Sequence, residues 1–407
     1  MNPVSSFPHR ALFALVAGLF VTSAAVSQFI PRVPGKEIVS KPMPIVYVRF
    51  QPTMPTLDYR LETFHLSIWP GDRTSFGEGY LVVNNISLNL FLGSTARVRG
   101  FEMGLFANHI REHAQGFQLA GVTNGVEEFF QGAQIAGASN VTRGDFYGAQ
   151  LAFGYNHALN FAGVQAALVN NADWFAGVQA GGVNMAGGQF VGVQAGYAAN
   201  FVGNILGLQV GGMNKAKNVT GVQAGGLNFA SNVDGMQVGV FNMADRNNGV
   251  ALGLLNWIGD GQNSFEFVGN EAEFGQLNYK HGTKYFHIIY SLGVRKLDKP
   301  FRWTVGGGMG AQLIQNPFSL NLDVLVHRLN GEHSWESGVF VLNEIRSTAS
   351  VEIVRGISLV LGGHVNVYVS SRNEEAFEGR GTLYPNESHS TFTRVWPGFI
   401  LGFKIGR

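Results

Sequence analysis

Residues that could do chemistry are few, and each sits where that chemistry lacks its scaffold. His109-Ile-Arg-Glu112-His113 has the residue order of the inverted zinc-protease motif. That motif works on a helix, where both His fall on one face and the Glu positions a water. Here the run lies between strand-like Gly104-Leu-Phe-Ala and a repeat unit, so it reads as a polar, solvated turn. Gly306-Gly-Gly308-Met-Gly310-Ala311 can be aligned with a dinucleotide fingerprint, but such a fingerprint closes a strand and opens a helix. The chain continues into Gln312-Leu-Ile-Gln-Asn-Pro317, with no helix, and the glycines read as alternation within a strand. Glu374, Glu375 and Glu378, with Arg372 and Arg380, form an acidic insertion that reads as an exposed loop. No pair of carboxylates can be placed together, and no nucleophile elbow supports a Ser-His-Asp order. The expectation is a protein without catalytic, metal or cofactor residues.

The last group is a column of amides. A Gly-x-Gln triplet begins at Gly116, Gly132, Gly148, Gly163, Gly177, Gly192, Gly207, Gly221 and Gly235, with a degenerate copy at Gly249 and steps of 14–16 residues. It carries Gln118, Gln134, Gln150, Gln165, Gln179, Gln194, Gln209, Gln223 and Gln237. An Asn follows each Gln by five or six positions: Asn124, Asn140, Asn156, Asn170, Asn184, Asn200, Asn214, Asn228 and Asn242. From the second triplet on, an apolar residue sits two before the Gly, at Phe130, Phe146, Phe161, Phe175, Phe190, Ile205, Val219 and Val233. The Gln column could line a polar lumen or bind a glycan; the favoured reading is a structural amide ladder that satisfies itself.

The elements that must carry this pattern are strands. The 407 residues hold 55 glycines, 45% hydrophobic residues and only 14% charged ones, and no sustained helical period occurs. A net charge of +1 gives no field for nucleic acid. The absence of Cys removes disulfides, thiolate metal sites and a lipidated N-terminal Cys. His9-Arg10, the apolar run Ala11 to Val21 and Ala25-Val26-Ser27 read as a cleavable Sec-type signal peptide over 1–27. A Pro-spotted extended linker comes next over 28–62, then N-terminal β-strands over 63–115, the Gly-x-Gln repeats over 116–258 and a β-meander over 259–407. Strands are expected at 285–294, 301–313, 320–326, 357–369 and 398–406.

Two all-β architectures fit the repeats. In an outer-membrane-type antiparallel barrel, each unit is one strand and turn, with the Phe positions falling alternately at the two rims. The scarcity of charge between Gly116 and Asn256 favours such a lipid-facing arrangement. In a parallel β-solenoid joined to a C-terminal meander or barrel, each unit is one coil. The five-or-six spacing favours this second arrangement, because an extra residue inside a strand would flip the Asn, whereas at a corner it is harmless.

The units Gly-Val-Gln-Ala-Gly-Gly-x-Asn-x-Ala resemble those of bacterial surface-repeat proteins, a leptospiral-type family also met in other diderm bacteria. Phe64-His-Leu-Ser-Ile-Trp-Pro-Gly, Asn85-Ile-Ser-Leu-Asn-Leu-Phe-Leu-Gly93 and Arg99-Gly-Phe-Glu-Met-Gly104 are similar to the block before such repeats. Tyr290-Ser-Leu-Gly293 and Trp303-Thr-Val-Gly-Gly-Gly-Met-Gly310 resemble the closing section. The resemblance implies an envelope or surface location with outer-membrane lipid as neighbour, and no assigned chemistry. The expected role is structural, or passive passage of small solutes. The alternative is a surface-exposed solenoid binding a protein or glycan. Some members are lipoproteins, which this Cys-free chain cannot be, and Arg407 stands where barrels commonly end on an aromatic.

Overall fold

The computed structural model describes residues 59–68, 81–273, 275–296, 302–314, 318–330, 340–371, 384–388 and 391–406. The signal segment, most of the linker and the acidic cluster of 372–380 lie outside the described residues. Every element described is a β-strand.

The first eleven strands are β1 (Tyr59–Ser67), β2 (Leu81–Asn89), β3 (Leu92–Thr95), β4 (Arg97–Gly104), β5 (Ala107–Ile110), β6 (His113–Ala120), β7 (Thr123–Val126), β8 (Phe129–Ala136), β9 (Ser139–Ala152), β10 (Tyr155–Asn247) and β11 (Val250–Ile258). They pair in parallel, each coil one repeat ahead of the last, so that Gly132 faces Gly116 and Asn140 faces Asn124. The repeats therefore take the solenoid arrangement and contribute no strand to the barrel. Each coil has a long arm bearing Gly-x-Gln and a short arm bearing Asn. β10 is one unbroken ladder wound through the six coils from Gly163 to Gly235. Segment 63–115 supplies the first coils of this solenoid, and β1 takes in the last residues of the Pro-spotted stretch.

Three columns of identical residues hold the coils in register. The expected aromatic rims are instead an internal stack: Phe130, Phe146, Phe161, Phe175 and Phe190 lie buried with successive ring centroids 4.9–5.1 Å apart. Parallel coils point one repeat position always the same way, whereas an up-and-down meander would alternate it. Ala158, Ala172 and Ala186, each two after an Asn, are buried in the same core and are small alongside the large rings. The second column is the glycines, which hold φ of +125 to +148° from Gly116 to Gly235, a region L-residues avoid. The amides form the third.

The remaining strands are β12 (Gln262–Asn270), β13 (Gly275–Gly282), β14 (Phe286–Lys296), β15 (Arg302–Ile314), β16 (Phe318–Asn330), β17 (Phe340–Val354), β18 (Ile357–Ser370), β19 (Tyr384–Ser388) and β20 (Thr391–Gly406). They form an antiparallel meander in which β18 pairs with β20 and β20 returns to β12. That closes an eight-stranded barrel, with β19 as a short addition on β20. The solenoid enters at one end. At that end the connections are short: 283–285, 315–317 and Arg355-Gly356. At the other end they run 271–274, 297–301, 331–339 and 371–390, the last including β19.

The last coil is docked on the barrel. The Asn256 N–H donates to His281 Nδ1 at 3.0 Å, and Tyr290 Oη donates to the Leu254 carbonyl at 2.6 Å. His281 is stacked against both Tyr279 and Tyr290.

Candidate functional site: a charged lumen inside an apolar wall

The barrel strands alternate in polarity, with most of their polar and charged side chains inside beside a few apolar ones such as Leu325, Val360 and Ile400. In β16, Ser319, Asn321, Asp323 and His327 are buried, while Leu322, Val324 and Val326 are 47–48% exposed. β17 repeats this with Glu344, Arg346 and Thr348 inside and Ile345 outside. Leu292, Met309, Leu361, Leu401 and Phe403 continue the outer wall. A globular protein in water arranges its sheets the other way.

Four ions close a ring across the lumen. Lys280 Nζ lies 3.0 Å from Glu266 Oε2 and 2.9 Å from Asp323 Oδ2. Arg346 lies 3.0 Å from the same two oxygens, through Nη2 and Nε. Signs alternate round the ring, and all four side chains are at most 2% exposed. Glu266 and Lys280 come from neighbouring strands β12 and β13, Asp323 and Arg346 from β16 and β17 on the opposite wall. The ring thus braces the barrel across its diameter. His287 contacts Asp323 Oδ1 at 2.8 Å. Nearby, His364 bridges Glu344 at 2.6 Å and Glu271 at 2.8 Å, and Asn366 and Trp396 Nε1 also donate to Glu271.

Space for this cluster comes from the glycines that mimic a nucleotide fingerprint. A Cβ on Gly310 would fall 2.0 Å from Asp323 Oδ1 and 2.6 Å from His287 Nε2, and one on Gly306 would fall 2.0 Å from the His327 ring. Those glycines leave room on β15, the expected strand, into which side chains of the flanking strands β14 and β16 lean.

The amide columns are closed on themselves. Each of Gln134, Gln150, Gln165, Gln179, Gln194, Gln209, Gln223 and Gln237 donates Nε2 to the Oε1 of the Gln one coil earlier at 2.7–2.9 Å. Gln118, at the head of the column, donates to Glu102. In the Asn column the donation runs the other way: Asn184 to Asn200, Asn214 to Asn228, Asn228 to Asn242 and Asn242 to Asn256, at 2.7–2.9 Å. The second Nδ2 proton of Asn214, Asn228 and Asn242 goes to a backbone carbonyl. All are fully buried, so these columns present no polar group to a lumen or a glycan. Asn184 and Asn200, with spacings of five and six, share one column, so the corner absorbs the extra residue without a flip.

The His-x-x-Glu-His run also resolves into ladder contacts. His109 and His113 face Glu127 and Glu128 of the next coil at 3.7 and 3.4 Å, and Glu112 pairs with Arg97 at 2.6 Å. Among the described residues no group of His and carboxylates is arranged to hold a metal.

Glu102 was hidden in the sequence because Gly100-Phe-Glu102 lacks the Gln of the triplet. It lies one coil before Gln118, in the same column, accepting from Gln118 Nε2 at 2.8 Å and Asn89 Nδ2 at 3.1 Å. Burial, with no cationic partner among the described residues, pushes its carboxyl up from 4.5 to about 7, against the smaller pull of these two donors. The folded state keeps this proton up to about pH 7, while the unfolded chain releases it near 4.5. Stability should therefore fall as pH rises across that window, by roughly 3 kcal/mol, and level off above it. Glu102→Gln should flatten the dependence, checked by denaturant melts of the full chain at pH 5 and pH 8. Equal slopes in both proteins would place the burden elsewhere.

The ring residues Glu266, Lys280, Asp323 and Arg346 are likewise absent from the sequence-level candidates. Their signal was the two-residue alternation itself, whose sense is set only when the sheet is known to close. No protein-family model, curated protein or solved structure matches the chain.

Proposed function

We propose that this is a non-enzymatic outer-membrane protein in which the C-terminal barrel is seated in lipid and anchors the solenoid to the envelope. The observation that carries the reading is the reversed polarity of the barrel, with an apolar wall around an ionic lumen. Outer-membrane barrels need an apolar outer band and tolerate a polar interior. A closed barrel also leaves no unpaired strand edge in the hydrocarbon. No helix among the described residues is long and apolar enough to cross a membrane, which bears only on helices. The ring from Glu266 to Arg346 favours anchoring over solute passage, since eight-stranded barrels have interiors that side chains can fill.

The two ends of the barrel support an orientation. Outer-membrane barrels turn tightly on the periplasmic side and carry longer loops outside. The solenoid joins at the end of the short connections, which favours a periplasmic solenoid over a surface adhesin. Partners for it are then envelope components on the inner side, a protein or a glycan.

Expression of the signal-bearing chain in a diderm host tests this. The protein should pellet with outer membranes, resist carbonate washing and migrate faster on gels unless boiled. Release into buffer as a folded monomer would remove the membrane reading. Unitary conductance steps in planar bilayers would restore solute passage.

A further inference from the structure

The scarcity of charge on the repeats is confined to one side. From each column glycine to the Asn that follows, over eleven coils from Gly100 to Asn256, the only charged residue is Glu102, which points inward. All the solenoid's other charges on those coils lie between an Asn and the next glycine: Arg111, Glu127, Arg143, Asp173, Lys217 and Arg246 are examples. The residues flanking each Gln point outward on the long arm and are apolar, among them Val164, Val178, Val210 and Val238, each 37–44% exposed, and Met103 takes the same place beside Glu102. At the corner beyond them stand Phe153, 84% exposed, Leu168 and Leu254. A solvated β-face normally carries polar residues at every second position, and contiguous exposed apolar surface marks an interaction site.

The place where this side meets the barrel tells what covers it. Leu254, on the apolar side of the last coil, lends its carbonyl to Tyr290 on the barrel's outer wall. Tyr279, His281 and Tyr290 form an aromatic cluster there, near the short-turn end. Aromatic girdles mark the height at which a membrane barrel leaves the hydrocarbon. The apolar side of the solenoid therefore starts where the lipid-facing wall stops.

We infer that the apolar side of the solenoid, running from each column glycine to the Asn that follows, lies on the lipid leaflet at the short-turn end of the barrel, as an interfacial β-surface. This rests on the membrane reading of the barrel. An interfacial element buries its apolar face about 5–10 Å into the headgroup and acyl boundary and keeps its charges in water, and the two sides of the coil are divided in that manner. The parallel ladder pairs the backbone of each interior coil with its neighbours, so that laying this face on lipid strands no polar group.

The Cys-free chain makes the test direct. Single replacements Val178→Cys and Val222→Cys on the apolar side, Asp173→Cys and Lys217→Cys on the charged side, and Leu361→Cys on the barrel wall are labelled with an environment-sensitive fluorophore. The full chain is reconstituted into vesicles of phosphatidylethanolamine and phosphatidylglycerol. Doxyl-labelled lipid should quench positions 178 and 222 at least about threefold more strongly than 173 and 217, with aqueous iodide showing the reverse order. Quenching of 361 by lipid with 178 and 222 open to iodide would overturn the inference while leaving the barrel reading intact. No lipid quenching at 361 would overturn both. Shielding of 178 and 222 from both quenchers, with a crosslinked dimer on gels, would assign the face to a second copy instead.

Discussion

Gly192→Ala should unfold the solenoid locally, at a cost of roughly 3–5 kcal/mol. Gly192 holds φ at +131°, and a Cβ there would sit 2.0 Å from the carbonyl oxygen of Gly177. Strain in that backbone region alone costs on the order of 1–3 kcal/mol. The clash adds to it, because the atom in the way is backbone and belongs to the ladder. Opening the gap enough for a methyl group would stretch the Gln bond that crosses it, Gln194 to Gln179 at 2.8 Å. In a repeat array each coil is stabilised mainly by its neighbours, so a defect in mid-array weakens both sides. Hydrogen exchange should show protection lost around residues 177–207 with the barrel strands unchanged. Gly187→Ala is the control: its Cβ would meet only Asp173 Oδ1 at 3.5 Å, and it should shift stability by less than about 0.5 kcal/mol. Equal protection in both variants would show that the glycine stack is incidental.

Asp323→Ala should be the most damaging single change in the barrel. Asp323 accepts from Lys280, Arg346 and His287, and its loss leaves two buried cations sharing Glu266. Removing one partner of a buried ionic cluster costs roughly 3–5 kcal/mol, because the survivors remain charged and desolvated. Replacing the pair by apolar residues of similar size costs far less, since the desolvation penalty disappears with the charges. The double variant Asp323→Leu/Lys280→Met should therefore be more stable than Asp323→Ala, although it removes more polar contacts. Urea titration in detergent micelles, followed by the heat-dependent gel shift, measures both. A loss below about 1 kcal/mol for Asp323→Ala would mean that water enters the lumen and solvates the ring.

Much of the solenoid is legible in the chain itself. Its period, its Phe, Gln and Asn columns and its glycines are all printed in the repeat, and the switch between five and six residues before Asn points to a corner. What the repeat leaves open is whether successive units run the same way or alternate, since one coil and one hairpin strand need similar lengths of chain. The deciding physics is non-local: a fully buried Gln satisfies itself only against another Gln in register, as Gln179 does against Gln165. In the barrel, β14, β15, β16, β18 and β20 stand out by their apolar alternation. β13 and β17 do not, because Lys280, Glu344 and Arg346 break any expectation of a water-soluble strand. A charge inside a sheet looks like a loop residue until the opposite wall supplies its partner, and for Arg346 that partner, Glu266, is 80 residues away.

The opposed donation of the two amide columns bears on how long such a molecule can be. A row of aligned amides adds its dipoles, as the peptide units of a helix do, and charges its two ends with opposite signs. Here the Gln row carries its positive pole toward the chain's start, where Glu102 sits, and the Asn row carries its positive pole toward the barrel. In the coils that carry both residues, from Gln118 to Gln237, the two rows of dipoles oppose each other. Inserting or deleting a coil therefore changes the reach of the solenoid without changing the potential at either tip, and coil number is free to drift while the terminal contacts with Glu102 and with the barrel stay the same.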